Sequence, residues 1–111
     1  MIKELVALAF NARNSTHLAH WGEDNGFSHK TLEKFYDQLI PLIDTFVECY
    51  QGNAGKAFDK DTQIAQKLIA DVHWLEQNRE ALSLNVRSLD AILDNICNLY
   101  LQTIYKLQNL K

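Results

Sequence analysis

The stretch SHKTLEKFYDQLIPLIDTFVECY, residues 28–50, decides the fold. Its apolar residues recur every three or four positions, which places them along one side of an α-helix. Ser28 is a residue type that commonly caps a helix N-terminus, and Gly52 and Gly55 follow the last apolar residue. Pro41 removes one backbone hydrogen bond and predicts an interruption with a kink. The apolar stripe comprises Leu32, Phe35 or Tyr36, Leu39, Ile43, Phe46 or Val47, and Tyr50.

The same periodicity predicts three further helices. One runs from Ile2 to about Trp21 and ends at the turn-rich residues 22–26. Another begins near Asp61 and carries its stripe as far as Arg79. After a break at residues 81–85, the last helix carries Val86, Leu89, Ile92, Leu93, Ile96, Leu99, Tyr100, Thr103, Leu107 and Leu110.

These four helices predict an all-α protein with one domain, residues 1–111. Short connections make successive helices antiparallel, so we expect an up-down-up-down four-helix bundle. One proline and four glycines provide too few turns for a many-stranded β-sandwich. The stripe of the last helix extends beyond its expected partners, which suggests an oligomer contact.

Charge and composition narrow the functional classes. The net charge is −3 and the basic residues are scattered, so we do not expect DNA binding, which depends on clustered positive charge. No apolar run approaches the roughly 20 residues of a transmembrane helix, and no secretory signal is recognisable. Cys49 and Cys97 lie within apolar helical patterns and are expected to be buried, reduced thiols of a cytoplasmic protein.

Two histidines and two acids are candidate metal ligands. The helical rotation turns His20 inward, and His29 lies one turn into the next helix, so both are near one inter-helix seam. Imidazoles in such a position bind metals or serve as hydrogen-bonded core residues. Asp44 and Glu48 are four residues apart on one helix face. They are suited either to a hard cation or to a solvated acidic edge.

The segment from Thr16 to Trp21, followed by His29, Asp44 and Glu48, resembles the ferroxidase segment of the Dps family of small ferritin-like proteins. The resemblance covers about residues 1–52 and implies a ferritin-like bundle. It also implies iron at a dimer interface, with His20 and His29 from one subunit and Asp44 and Glu48 from its mate.

The resemblance also gives roles to two neighbouring residues. Glu33 falls where the family often has an acidic residue behind the ligands. His17, twelve residues before His29, is the alternative to His20 as a ligand. The segment from His20 to Gly52 is also similar to small phage-encoded helical proteins of unassigned function.

Two functional hypotheses follow. The first is a ferritin-like protein, a homodimer or larger homo-oligomer, with ferroxidase-like activity on iron(II). Manganese and zinc are the alternative metals. The second is a non-catalytic helical interaction protein, phage-encoded and working in the host cytoplasm, that binds a host or phage protein. In this hypothesis Trp21 and Trp74 form the recognition surface, although packing at the bundle ends also explains them.

Overall fold

The computed structural model describes residues 1–110, which form five α-helices and no strand. The predicted all-α class is therefore confirmed. The chain divides into two compact units, residues 1–59 and the residues from Lys60 onward. The helices are α1 (Ile2–Gly22), α2 (Gly26–Ala54), α3 (Ile64–Gln77), α4 (Arg79–Ser83) and α5 (Arg87–Asn109).

The first unit is an antiparallel hairpin of α1 and α2. His20 and His29 meet at the turn, while Leu5 at the start of α1 lies beside Tyr50 near the end of α2. The spacing of apolar residues in both helices supplies the seam between them. Its most buried residues are Ala9, His20 and Tyr36.

Helix α2 begins before its predicted start. Asn25, rather than Ser28, is the N-cap, and the Asn25 side-chain oxygen accepts a hydrogen bond from the backbone N–H of Ser28 at 3.0 Å. An asparagine in this position satisfies an otherwise unpaired amide of the first turn. The prediction that Pro41 interrupts the helix is also wrong, because α2 runs through Pro41 as one helix of 29 residues. Pro41 removes one backbone hydrogen bond, which is a small fraction of those in a helix of 29 residues.

The chain after α2 folds back onto the hairpin. Gly55 ends the helix with φ of 92°, a left-handed conformation that favours glycine. The side-chain oxygen of Gln51 then accepts hydrogen bonds from the backbone N–H groups of Ala57, at 2.9 Å, and Phe58, at 3.2 Å. These bonds hold Phe58 beside Val6 in a groove on one side of the hairpin.

The second unit pairs α3 with α5, also antiparallel. The Tyr100 hydroxyl donates to the carboxylate of Asp71 at 3.1 Å, and one turn earlier on α5 the Cys97 thiol donates to Glu76 at 3.5 Å. Helix α3 begins at Ile64, three residues after its predicted start. Ala65, Cys97 and Ile104 are the buried apolar residues of this unit.

The short helix α4 was not predicted, since residues 81–85 were expected to be a break. Arg79 fixes this region to α5: its Nε donates to the Asp90 carboxylate at 2.8 Å, and its guanidinium also binds Asp94. The connection to α5 then needs two successive left-handed residues, Leu84 with φ of 55° and Asn85 with φ of 57°.

The two cysteines differ in their surroundings. Both are free, but Cys97 is buried while Cys49 is exposed. The expectation that both thiols are buried is therefore wrong for Cys49, which lies at the edge of the apolar stripe of α2.

Across residues 1–110, none of the helices has the length and apolar character needed to span a membrane. The single domain and the up-down four-helix bundle stay predictions.

Candidate functional site

His20 and His29 form a closed, reciprocal pair at the turn of the first unit. The His20 ring Nδ1 donates to the backbone oxygen of His29 at 2.8 Å, and the His29 ring Nδ1 donates to the backbone oxygen of His20 at 2.9 Å. The two rings stack with their centroids 3.6 Å apart and an angle of 26° between their planes. The prediction that both histidines lie at the seam between α1 and α2 is confirmed.

These bonds fix the tautomer of each histidine. A backbone carbonyl oxygen only accepts, so each Nδ1 carries a proton, and Nε2 is the ring nitrogen through which a neutral histidine would bind a metal. A histidine bound to a metal through Nε2 typically holds its Nδ1–H in this way. The same two bonds also suit a purely structural pair that closes the hairpin.

The other predicted residues of α1 extend this pair into an aromatic cluster. The His17 ring stacks on Tyr36, with centroids 4.1 Å apart, and the Trp21 ring centroid lies 4.3 Å from that of His17. Arg13 covers Tyr36 at 5.5 Å. Burial, followed by the nearby acidic residue Glu33, raises the pKa of the Tyr36 phenol. The cluster stabilises the turn end of the hairpin through packing.

The predicted carboxylate ligands do not join the histidines within one chain. Asp44 and Glu48 follow His29 on the same continuous helix by 15 and 19 residues. The helical rise separates them from His29 by about 22 and 28 Å along the axis. Among residues 1–110 there is no group of three or more histidine, cysteine or acidic side chains placed to hold a metal ion.

The remaining predicted residues also lie apart. Glu33 pairs with Lys30 on the surface at 3.5 Å, so its predicted place behind the ligands is not evident in this chain. Trp21 is exposed at the turn of the first unit, and Trp74 is exposed on α3 of the second unit. The structure therefore brings His17, His20, Trp21 and His29 together.

A different surface of the first unit was missed by sequence reasoning. One face of the hairpin is apolar and is not covered by other residues of the first unit: Leu8 is 68% exposed, Leu42 67% and Phe46 48%. We call this the hairpin face. It comprises Leu5 and Leu8 of α1 and Phe35, Leu39, Leu42, Phe46 and Tyr50 of α2; Leu5 and Leu39 are half-buried and the others are exposed.

The hairpin face has uncharged borders along α2. Its neighbours on the outer side of that helix are Thr31, Gln38, Thr45, Cys49 and Asn53, whereas the charged residues of α2 lie on other sides. At one end the face deepens into a groove formed by Met1, Leu5 and Leu8 against Phe46 and Tyr50, with Glu4 at the rim. The sequence did contain the signal, because Phe35 and Phe46 were alternatives to Tyr36 and Val47 in the predicted stripe. Both members of each pair are apolar, since α2 has two adjacent apolar sides.

Comparison with known proteins assigns the chain to a family but not to an activity. The chain is 26% identical over 109 residues, 94% of its length, to an uncharacterised 14.6 kDa protein encoded in the mobD–ri intergenic region of Enterobacteria phage T4, and the match covers 85% of that protein. This match agrees with the expected similarity to phage proteins of unassigned function. No solved structure matches the chain. The matching family is not that of Dps, so the Dps resemblance gains no support. Residues 20–107 match a family of unknown function, DUF5856, and the chain belongs to that family.

Proposed function

We propose that the protein is a non-catalytic helical interaction protein that binds an amphipathic helix of another protein on its hairpin face. The observation that carries this proposal is the exposure of Leu8, Leu42 and Phe46. Leu8 and Phe46 line the same groove, and Leu42 lies one turn before Phe46 on α2. Isolated exposed apolar residues are ordinary, but a contiguous apolar face marks an interaction site.

The spacing of the face favours a helix as its occupant. Phe35, Leu39, Leu42 and Phe46 are separated by four, three and four residues, the heptad pattern through which two helices pack side by side. A partner helix with apolar residues at its own a and d positions fills such a groove. Because the borders of the face along α2 are uncharged, salt bridges on that side do not determine which partner helix binds. Glu4 at the rim favours a basic residue at one end of the partner.

A designed peptide tests this directly with the full chain. The probe is an amphipathic helix of about three heptads with leucines at a and d and lysines elsewhere, and its control has the same composition with the leucines scattered. We expect saturable binding of the amphipathic peptide with a dissociation constant on the order of micromolar. The scattered peptide should not bind. Titration calorimetry measures both.

Two substitutions locate the binding surface. Phe46→Glu should weaken peptide binding by about tenfold or more, because it places a charge in the centre of the apolar face. Asp37→Asn, on another side of the same helix, should leave the affinity unchanged apart from a small electrostatic effect. Equal binding of both peptides, or equal affinity of Phe46→Glu and the unsubstituted protein, would contradict the proposal.

The ferritin-like alternative rests on one observation, the Nδ1 hydrogen bonds of His20 and His29, which leave Nε2 of each ring as the atom that would bind a metal. An iron site of His20, His29, Asp44 and Glu48 requires the two carboxylates to come from a second copy, since they are about 22 Å or more from His29 within one chain. Anaerobic iron(II) titration of chelator-treated protein, followed by addition of oxygen, tests this alternative. Saturable uptake that is lost in both His20→Ala and Asp44→Ala would favour it over the interaction proposal.

A further inference from the structure

A segment without helix, residues 55–59, follows α2 and lies against a second groove of the first unit. We call this segment the strap. The groove is open, with a volume of about 340 Å³, and Phe58 of the strap forms part of its wall. The other residues that line it are Val6 and Phe10 of α1 and Ile43, Asp44, Val47 and Glu48 of α2.

One side-chain atom holds the strap to the end of α2. The Oε1 atom of Gln51 accepts hydrogen bonds from the backbone N–H groups of Ala57, at 2.9 Å, and Phe58, at 3.2 Å. Within the described residues 1–110, residues 56–59 make no other hydrogen bond. Because the two amides share one acceptor, movement of the Gln51 side chain away from the strap releases both of them together.

Packing adds one anchor to the strap, the ring of Phe58. Phe58 and Ala57 are half-buried, whereas Gly55, Lys56 and Asp59 are exposed. Since the groove beside Phe58 is open, this ring has fewer neighbouring atoms than a ring in a close-packed core, and it gains less dispersion attraction. The strap is therefore held by two hydrogen bonds and one partly covered ring.

This mode of attachment separates the strap from the helices on which it lies. Segments with few buried contacts and exposed backbone open at a lower free energy than the core of a folded protein. Opening the strap breaks its two bonds to Gln51 but no hydrogen bond within α1 or α2. Gly55, with φ of 92°, joins the strap to α2, and glycine has the conformational freedom that a hinge needs. We propose that the strap opens and closes over the groove while the α1–α2 hairpin stays folded, with Gln51 as its latch.

The position of the strap controls how much apolar surface the hairpin presents. In the closed position Phe58 covers part of the apolar lining of the groove. In the open position that lining is exposed beside the carboxylates of Asp44 and Glu48, as a second apolar surface in addition to the hairpin face. The groove and the hairpin face have no residue in common, so the strap does not depend on the binding function proposed above.

Residue-resolved hydrogen–deuterium exchange of the full chain, measured by NMR, tests the opening. We expect the amides of Ala57 and Phe58 to exchange about 100-fold faster than that of the buried Tyr36, and with little dependence on low concentrations of urea. Exchange of these amides at the rate and urea dependence of Tyr36 would overturn the proposal, because the strap would then open only when the hairpin unfolds. Exchange at the rate of an unstructured peptide would also overturn it, because the strap would then not close.

Substitutions of Gln51 test the latch. Gln51→Ala should speed exchange at Ala57 and Phe58 by about tenfold, because it removes their acceptor, and should leave the exchange of Tyr36 unchanged. Gln51→Glu keeps an acceptor oxygen and should retain slow exchange at both amides. Asn53→Ala is the matched control, because the exposed Asn53 side chain bonds only to the backbone oxygen of Cys49, at 2.8 Å.

Three results of these substitutions would overturn the latch. The first is unchanged exchange at Ala57 and Phe58 in Gln51→Ala. The second is equal acceleration of these amides by Asn53→Ala. The third is acceleration of Tyr36 as large as that of Ala57 in Gln51→Ala, since the strap and the hairpin would then open as one unit.

Discussion

His20 and His29 each donate a ring Nδ1 proton to the backbone oxygen of the other, at 2.8 and 2.9 Å, and their rings stack with centroids 3.6 Å apart. Two residues nine positions apart thereby close the turn between α1 and α2 with side chains as well as backbone. The pair gives the histidines a structural role that needs no metal. It also explains why a motif that suggests metal ligands occurs at the end of a helix hairpin.

Removing one ring should measurably destabilise this turn. His29→Ala loses one hydrogen bond and the ring stack, so we expect the free energy of unfolding to fall by about 1–2 kcal/mol. His29→Asn keeps a donor at the position of Nδ1 and should lose about half as much. Urea denaturation in a Trp74→Phe background, followed by the fluorescence of Trp21, which lies beside His17, measures both. Equal stability of all three proteins would show that the pair does not hold the turn.

The two cysteines should react at very different rates. Burial, followed by the hydrogen bond to Glu76, raises the pKa of the Cys97 thiol, so less of its reactive thiolate is present at neutral pH. Cys49 is exposed. We expect a thiol reagent to modify one cysteine per chain quickly and the second only on unfolding. Cys49→Ser should lose the fast phase, and a fast phase that persists in Cys49→Ser would contradict the packing of α5 on α3.

Replacing Leu84 by glycine should stabilise the folded protein. Its φ of 55° is left-handed, which costs a leucine about 1–2 kcal/mol, and its side chain is 70% exposed, so little packing is lost. Glycine loses more conformational entropy on folding than leucine does, which offsets part of this gain. We therefore expect Leu84→Gly to raise the free energy of unfolding by about 0.5–1 kcal/mol. Leu84→Ala keeps the backbone cost and serves as the control. Thermal denaturation of both variants would refute the expectation if their midpoints coincide.

Tyr100 should titrate at a higher pH in the folded protein than in the unfolded chain. Its hydrogen bond to Asp71, followed by burial, raises the pKa of the phenol above its usual value near 10. The protonated phenol therefore stabilises the folded state below pH 10, and this contribution is lost as the pH rises through the higher folded pKa. Ultraviolet difference titration of the unsubstituted protein against Tyr100→Phe isolates this phenol. A transition at or below pH 10 would contradict the contact with Asp71.

Helical periodicity was sufficient to predict the long helices. The start of α1 and the seam at His20 and His29 follow from spacing alone, because the helical period places these residues on one side. Periodicity missed the N-cap of α2 and the short helix α4, because both depend on particular side-chain hydrogen bonds. Asn25 and Ser28 are both good capping residues, and only the bond between them selects Asn25. Helix α4 is held to α5 by the hydrogen-bonded ion pair of Arg79 with Asp90, eleven residues away, which no local pattern reveals.

The candidate site was harder to predict for a related reason. To predict the packed side of a helix, one must know which of its apolar residues contact the neighbouring helix. Helix α2 has apolar residues on two adjacent sides, so spacing alone leaves two possibilities. Tyr36 is buried against α1, while Phe35 next to it is 44% exposed. Periodicity gives the apolar sides of a helix but not which of them is covered. That distinction needs the position of α1, and it separates the packed seam from the hairpin face.

Hydrogen–deuterium exchange of the full chain, with and without a saturating amount of the amphipathic peptide, tests the central claim most directly. Ligand binding slows exchange where it stabilises the native helices. We predict slower exchange along residues 35–50 of α2 and at the start of α1, with no change in the Phe46→Glu protein. Unchanged exchange in α1 and α2 at saturating peptide, or slowing confined to α5, would contradict the hairpin face as the binding site.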